Sequence, residues 1–427
     1  MKHLHKLLII FSVVSLIISG CDDNDHSGGY SSQDSVFIFI DDVMDYWYYW
    51  YEEIPDLDIF GFETPSDLLE AMMYTPPDYW SFIEKAEIVE SLYEDGEYLG
   101  FGFLLKFDVY GNLRIPLVYE NSEAYELGIR RGNIITAING TDPTLFDDYN
   151  SFFDYDPETF TFEILDNEGI MHTITLDKSI IVQNGVIFSD IYNVSGTKTG
   201  YILYDSFLNF TKEELEDVIS YFKSNDITEL VIDLRYNGGG YISLAKELCE
   251  MIMPAETAGK VFISFLFNDR LSETHNSSFL FEENELNLDL DRVFFITTGA
   301  SASASELVIN SLEPYMDVLI IGTFTHGKPV GMSEFTFNDW VLYPVVTQMV
   351  NAEGFGDYFE GLIPDCEAED GMDHEWGDET EPCLYQAFHY ISYGTWDNMI
   401  TASTKTSDTE MIPNQYWKNR NLLILDN

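Results

Sequence analysis

An α/β fold is predicted for the C-terminal half of this chain, and three observations carry the prediction. A strand-like run, Tyr201 to Phe207, is followed by Leu215, Val218, Ile219 and Phe222 at helical spacing and then by a second apolar strand, Leu230 to Leu234. The same order recurs at Val293 to Thr297. There a strand leads through a small-residue turn into a helix that begins near Ser303, carries Leu307 and Leu312, is stopped by Pro314 and precedes the strand Val318 to Ile321. At 427 residues, with 45% hydrophobic and 15% aromatic content, the chain has apolar material for two or three packed domains.

At the N-terminus, Lys2 and Lys6 precede an apolar run from Leu7 to Ile18, the pattern of an export leader over residues 1–20 rather than of a spanning helix. Ile18-Ser19-Gly20-Cys21 resembles a bacterial lipobox with isoleucine in the usual leucine place. The resemblance implies lipidation of Cys21 and a protein anchored in the bacterial cell envelope, periplasmic or surface-exposed; an ordinary leader followed by an unrelated cysteine is the alternative. Residues 21–35 are polar and read as a flexible tether. The formal net charge of -55, from 75 acidic and 20 basic residues, argues against nucleic acid or an anionic membrane surface as partners, since both require a basic patch. Membrane contact is expected through the lipid anchor alone.

Residues 36–92 read as a small helical domain, with helices over Ser66 to Met73 and Tyr79 to Leu92. Its aromatic run, Tyr46 to Tyr51, suits core or domain-interface packing, with a sugar-stacking surface as the rival reading. In residues 93–178, a short helix ends at Gly128, a glycine turn follows at Gly132, and an alternating strand closes on Asn139-Gly140. Strands over Thr159 to Leu165 and Met171 to Leu176 complete the unit. The segment resembles a PDZ domain. That resemblance implies that the loop Leu99, Gly100, Phe101, Gly102 and Phe103 offers backbone N–H groups to the terminal carboxylate of a peptide with an apolar C-terminus, or else that the groove is blocked and the fold structural.

The remaining unit spans 179–395, with a polar tail over 396–427. The run Asp233-Leu234-Arg235-Tyr236-Asn237-Gly238-Gly239-Gly240 follows a strand, but no Lys-Ser pair follows the glycines, which argues against a phosphate loop. Ser303 with Glu306 has the spacing of a capping box, and equally that of a nucleophile whose hydroxyl sits at a helix N-terminus. Lys328, flanked by Gly327 and Pro329, is a candidate base, because a buried lysine can be neutral near neutral pH. Taken together, Ser301-Ala302-Ser303-Ala304-Ser305-Glu306, the later Gly327-Lys328 and the glycine run resemble the C-terminal processing (tail-specific) peptidases. The resemblance implies a ClpP/crotonase-like α/β catalytic domain with a preceding or inserted PDZ-like domain. It also implies a Ser303–Lys328 dyad supported by Glu306 and Thr325, and oxyanion donors at the N–H groups of Ala304 and of Gly238 or Gly239. Many members carry glutamine four residues after the lysine, where this chain has Met332.

Cys366 and Cys383 flank an acidic loop and, in an exported protein, are expected to form a disulfide, whereas Cys249 sits at an apolar helix position as a buried thiol. Asp373-His374-Glu375 lacks paired histidines at helical spacing and reads as a solvated loop, so no metal or cofactor is expected. The expected function is an exported, lipid-anchored serine endopeptidase acting on proteins or peptides. A catalytically silent peptide-binding lipoprotein and a glycan-binding surface protein are the alternatives.

Overall fold

The computed structural model describes residues 32–93, 96–145, 159–397 and 423–424. The leader, Cys21, the tether and nearly all of the tail lie outside them. The central sheet has six strands: β1 (Val186–Val194), β2 (Thr197–Tyr204), β3 (Glu229–Asp233), β4 (Arg292–Thr297), β5 (Asp317–Gly322) and β6 (Cys366–Glu367). They lie in the spatial order 6-5-4-3-2-1, with β2 to β6 parallel and β1 antiparallel to β2. Helices α1 (Lys212–Ser224), α2 (Ile242–Ile252), α3 (Ala304–Leu312) and α4 (Pro382–Tyr393) cover it.

The strands are apolar throughout because both faces of the sheet are buried. Ile202, Ile232 and Phe295 join Leu215, Leu248 and Leu307 in one core, while their neighbours Tyr201, Val231 and Phe294 turn to the other face and meet Leu384, Ala387 and Phe388 of α4. Thr211 and Glu214 have the spacing of a capping box at the start of α1, but no side-chain cap forms there. Thr211 donates its hydroxyl to the carbonyls of Ser206 and Leu208, and Glu214 accepts from the N–H of Val186 at 2.8 Å.

The N-terminal segment packs directly onto the catalytic unit. Its helices, Ser32–Trp47 and Pro65–Met72, share one core with Val330, Met332 and Val341 to Tyr343 of the catalytic unit. The helix expected over Tyr79 to Leu92 is shortened to Ala86–Tyr93, because Phe82–Lys85 forms a strand antiparallel to Trp340–Tyr343. That partner lies far away in sequence, so local periodicity could not announce it. The aromatic run is largely interface: Tyr48 is fully buried, Tyr49 donates its N–H to Val345 O at 2.8 Å, and Trp47 packs against His275 and Phe335.

The middle unit is a five-stranded antiparallel sheet ordered Lys106–Phe107, Leu113–Arg114, Ile134–Ile138, Thr159–Leu165, Met171–Asp177. A ribbon pairing Glu97–Gly100 with Ser179–Val182 extends the unit past residue 178. Phe101 and Phe103 lie in its core against Phe162, with ring centroids 5.2 and 5.5 Å away, so among the apolar side chains of Leu99 to Phe103 only Leu99 is exposed.

The expected Cys366–Cys383 disulfide is absent, and both residues are free thiols, as is Cys249. Each sulfur faces a backbone carbonyl instead, Cys366 that of Glu367 at 3.9 Å and Cys383 that of Glu369 at 3.3 Å. Among the described residues no helix is long and apolar enough to cross a membrane.

Candidate active site

The carboxyl ends of β3 and β4 meet where the glycine run faces the serine run. Asn237 stitches the two together. Its carbonyl accepts from Ala302 N at 3.1 Å and from the Ser305 hydroxyl at 2.9 Å, while its side chain accepts from Gly239 N at 2.9 Å and donates to Tyr204 O at 3.0 Å. Gly240 must be glycine, since φ is +143° and a Cβ there would sit 2.0 Å from Phe207 O.

The three serines separate by what their hydroxyls do. Ser301 donates to Leu234 O at 2.7 Å and Ser305 to Asn237 O, so both hold the turn to the glycine loop. Ser303 Oγ is buried with no hydrogen-bond partner among the described residues. An unpaired buried hydroxyl is costly. Ser303 also has φ +62° and ψ -111° at the strand-to-helix turn, a strained conformation for a residue with a Cβ. Of the sequence-predicted oxyanion donors, Gly239 N is already bonded to Asn237, whereas Ala304 N opens helix α3 and Gly238 N has no partner among the described residues.

Glu306 is fully buried and ties this turn to the lysine loop. Its Oε2 accepts from the N–H of Ser303 at 2.8 Å and of Lys328 at 2.9 Å, and its Oε1 from Gly327 N at 2.6 Å and the Thr325 hydroxyl at 2.5 Å. Only the carboxylate half of the anticipated capping box thus has hydrogen-bond geometry, and it positions the site as well as the helix. Burial pushes its pKa up, and the four hydrogen bonds oppose that rise without cancelling it. Thr325 in turn accepts from Leu362 N at 2.7 Å. Gly327, at φ +90°, lets the loop pass so close to Phe359 that a Cβ would lie 2.3 Å from its carbonyl oxygen.

Lys328 is fully buried. Burial pushes its amine down to about 7, with Asp78 and Glu306 acting in the opposite direction. Its Nζ lies 3.6 Å from Met332 Sδ, a weak acceptor in the place where the tail-specific pattern has glutamine.

Two family models match the chain: the N-terminal domain of peptidase S41 over residues 36–82 and peptidase family S41 over residues 198–368. The second match holds Ser303, Glu306, Lys328 and the glycine loop. The chain belongs to peptidase family S41. It is 22% identical over 302 residues to a probable CtpA-like serine protease of Staphylococcus saprophyticus, covering 68% of this chain and 58% of the relative. With a counterpart in Staphylococcus aureus it shares 25% over 255 residues, covering 58% and 48%. The chain thus spans about half the length of the curated relatives it matches. A Bacteroides fragilis structure assigned to the S41 proteases is 26% identical with a TM-score of 0.68, covering 87% of this chain and 100% of the other. The photosystem II D1 C-terminal processing protease, at 17% identity and a TM-score of 0.51 over 80% and 94% of the two chains, shares the fold.

Several residues of this S41 site escaped the sequence reading. Asp78, buried in the N-terminal segment, accepts from Tyr48 Oη and Ser81 Oγ, each at 2.7 Å, from Trp80 N at 2.9 Å and from Ser81 N at 3.1 Å. Trp80 donates its indole N–H to His326 Nε2 at 3.2 Å and places its ring 5.8 Å from Lys328 Nζ. Behind the glycine loop, Arg235 pairs with Asp233 at 2.7 Å and with both Asp370 and Glu381 at 2.9 Å. Asp370 also takes Arg131 and Lys106 of the middle unit, each at 3.2 Å, joining the two units. Burial raises the Asp370 carboxyl, but Lys106, Arg235 and Arg131 outweigh it and hold the group well below the usual carboxylate range. The loop Asp373 to Glu375 has a structural part, since Arg131 Nε donates to His374 O at 2.9 Å. The only sequence signal for this network was the scarcity of basic residues.

Proposed function

We propose that this S41 chain is a serine endopeptidase working through Ser303 and Lys328. Ser303 Oγ attacks a peptide carbonyl, neutral Lys328 receives its proton, and the N–H groups of Ala304 and Gly238 hold the oxyanion. The ammonium then protonates the leaving amine, and water releases the acyl-enzyme. One observation carries the reading: of three serines in the run, Ser303 alone has an unpaired buried hydroxyl, in a strained turn that shares one carboxylate oxygen with the base lysine. Gly238 is preferred to Gly239 because the N–H of Gly239 is already used.

The middle unit fits a PDZ-like module that receives substrate C-termini through backbone groups of Leu99 to Phe103. Apolar specificity there would come from Leu99, because Phe101 and Phe103 are core residues. Anchoring through Cys21 in the bacterial envelope completes the proposal. Met332 favours the silent peptide-binding reading, since Lys328 Nζ engages its sulfur while Ser303 Oγ has no partner. Peptides with free and amidated C-termini separate the readings: the endopeptidase cleaves the free-acid peptide and Ser303→Ala does not, whereas the silent protein binds it and cleaves nothing.

A further inference from the structure

Lys328 must become a cation during acylation, in a place where burial disfavours one. When the serine O–H bond breaks, its proton goes to the Nζ lone pair as Oγ bonds to the carbonyl carbon, so a neutral pair becomes an ammonium and an oxyanion. Stabilising that ammonium needs a fixed opposing charge, and keeping the resting amine neutral needs water held away. The titratable groups whose charge acts on Lys328 are Glu306 from α3, His326 from its own loop and Asp78 from the N-terminal segment, two residues before Trp80, whose ring lies 5.8 Å from Nζ.

Resting on the dyad reading, we propose that the N-terminal segment supplies two positioning residues for the base: Asp78, the anion that stabilises protonated Lys328, and Trp80, the wall that limits water at its amine. Asp78 is fully buried, yet among the described residues no basic group stands within ion-pair distance of it; its partners are four neutral donors. A buried carboxylate held in this way is expensive. Ser81, which donates to it, also accepts from Val345 N at 2.9 Å, fixing the group to the catalytic unit. Of the charges that oppose the effect of burial on Lys328, Asp78 acts most strongly.

Trp80 is fixed from two sides. Its ring stacks on Phe359 at 6.5 Å and 29°, and its indole N–H requires an unprotonated His326 Nε2, leaving His326 Nδ1 to donate to Gly299 O at 3.3 Å. Met332 Sδ is a weak acceptor and carries no charge to oppose that of the ammonium.

The test is the pH dependence of Ser303 labelling by a serine-reactive phosphonate in the full chain, for wild type, Asp78→Asn, Trp80→Ala and Lys328→Ala. Removing the anion shifts the acid limb to lower pH by about one unit and lowers the plateau rate; admitting water shifts it to higher pH by a similar amount. Loss of structure alone does not move the limb in opposite directions. Trp80 is partly exposed, so Trp80→Ala decides the matter if Asp78→Asn does not fold. Should Lys328→Ala label as fast as wild type, the dyad is wrong and this proposal falls with it. Should Lys328→Ala fail to label while the other limbs stay at the wild-type pH or move together, the dyad stands and the proposal is overturned.

Discussion

Glu306→Gln is the sharpest probe of how the site is held together. One carboxylate oxygen becomes an NH2 that donates and cannot accept. With that NH2 in the Oε2 place, the N–H groups of Ser303 and Lys328 both lose their acceptor. In the Oε1 place the Thr325 hydroxyl can turn to accept, and only Gly327 N is orphaned. The cheaper orientation therefore leaves one buried N–H unpaired and weakens the charge-assisted bonds that remain, a loss of about 2–4 kcal/mol. For a domain of this size that corresponds to a fall of roughly 4–10 °C in melting temperature. Because the same bonds hold Ser303 in its strained turn, phosphonate labelling should slow by at least about tenfold. A variant with wild-type melting temperature and wild-type labelling rate would refute the hub.

Ser301→Ala and Ser305→Ala each remove a buried hydroxyl bonded to a carbonyl of the glycine loop; each should cost about 1 kcal/mol in denaturant unfolding while Ser303 is still labelled. Folded Lys328 loses its proton near pH 7 and an unfolded lysine near about 10.4, so the unfolded chain binds the extra proton between these values and stability rises with pH there. Lys328→Met should remove that part of the slope in unfolding measured from pH 7 to 10, and Lys328→Arg should be inactive because guanidinium keeps its proton. Asp370→Ala strands Lys106 and Arg131 at the boundary of two units, while Arg235 keeps Asp233 and Glu381; it should cost about 3–5 kcal/mol, read as a lower denaturant midpoint.

What the sequence made legible was whatever lies within one contiguous stretch. Ser303, Glu306 and the small residues around them stand within one turn of helix, and β2 to β5 each read as an apolar run because both of their faces are buried. Phe82–Lys85 carries a helical local pattern yet forms a strand, because its partner, Trp340–Tyr343, comes from the far end of the chain. Trp80 and His326 are 246 residues apart, and Arg235 and Asp370 are 135 apart; neither pair leaves a local pattern. Phe101 and Phe103 belong to the loop that the PDZ resemblance assigns to peptide binding, and the sequence does not show that their rings are covered by Phe162 from a strand about sixty residues on. The disulfide expectation rested on compartment and proximity in sequence, and the directions of the two sulfurs, set by the fold, decide against it.

The central claim is that Ser303, and neither neighbouring serine, is the nucleophile. Treating the full chain with a serine-reactive phosphonate and mapping the modified peptide tests it most directly. The account predicts one adduct, on Ser303, formed faster as pH rises through about 7 and lost in Lys328→Ala. An adduct on Ser301 or Ser305, or equal labelling of the Lys328→Ala variant, would contradict it.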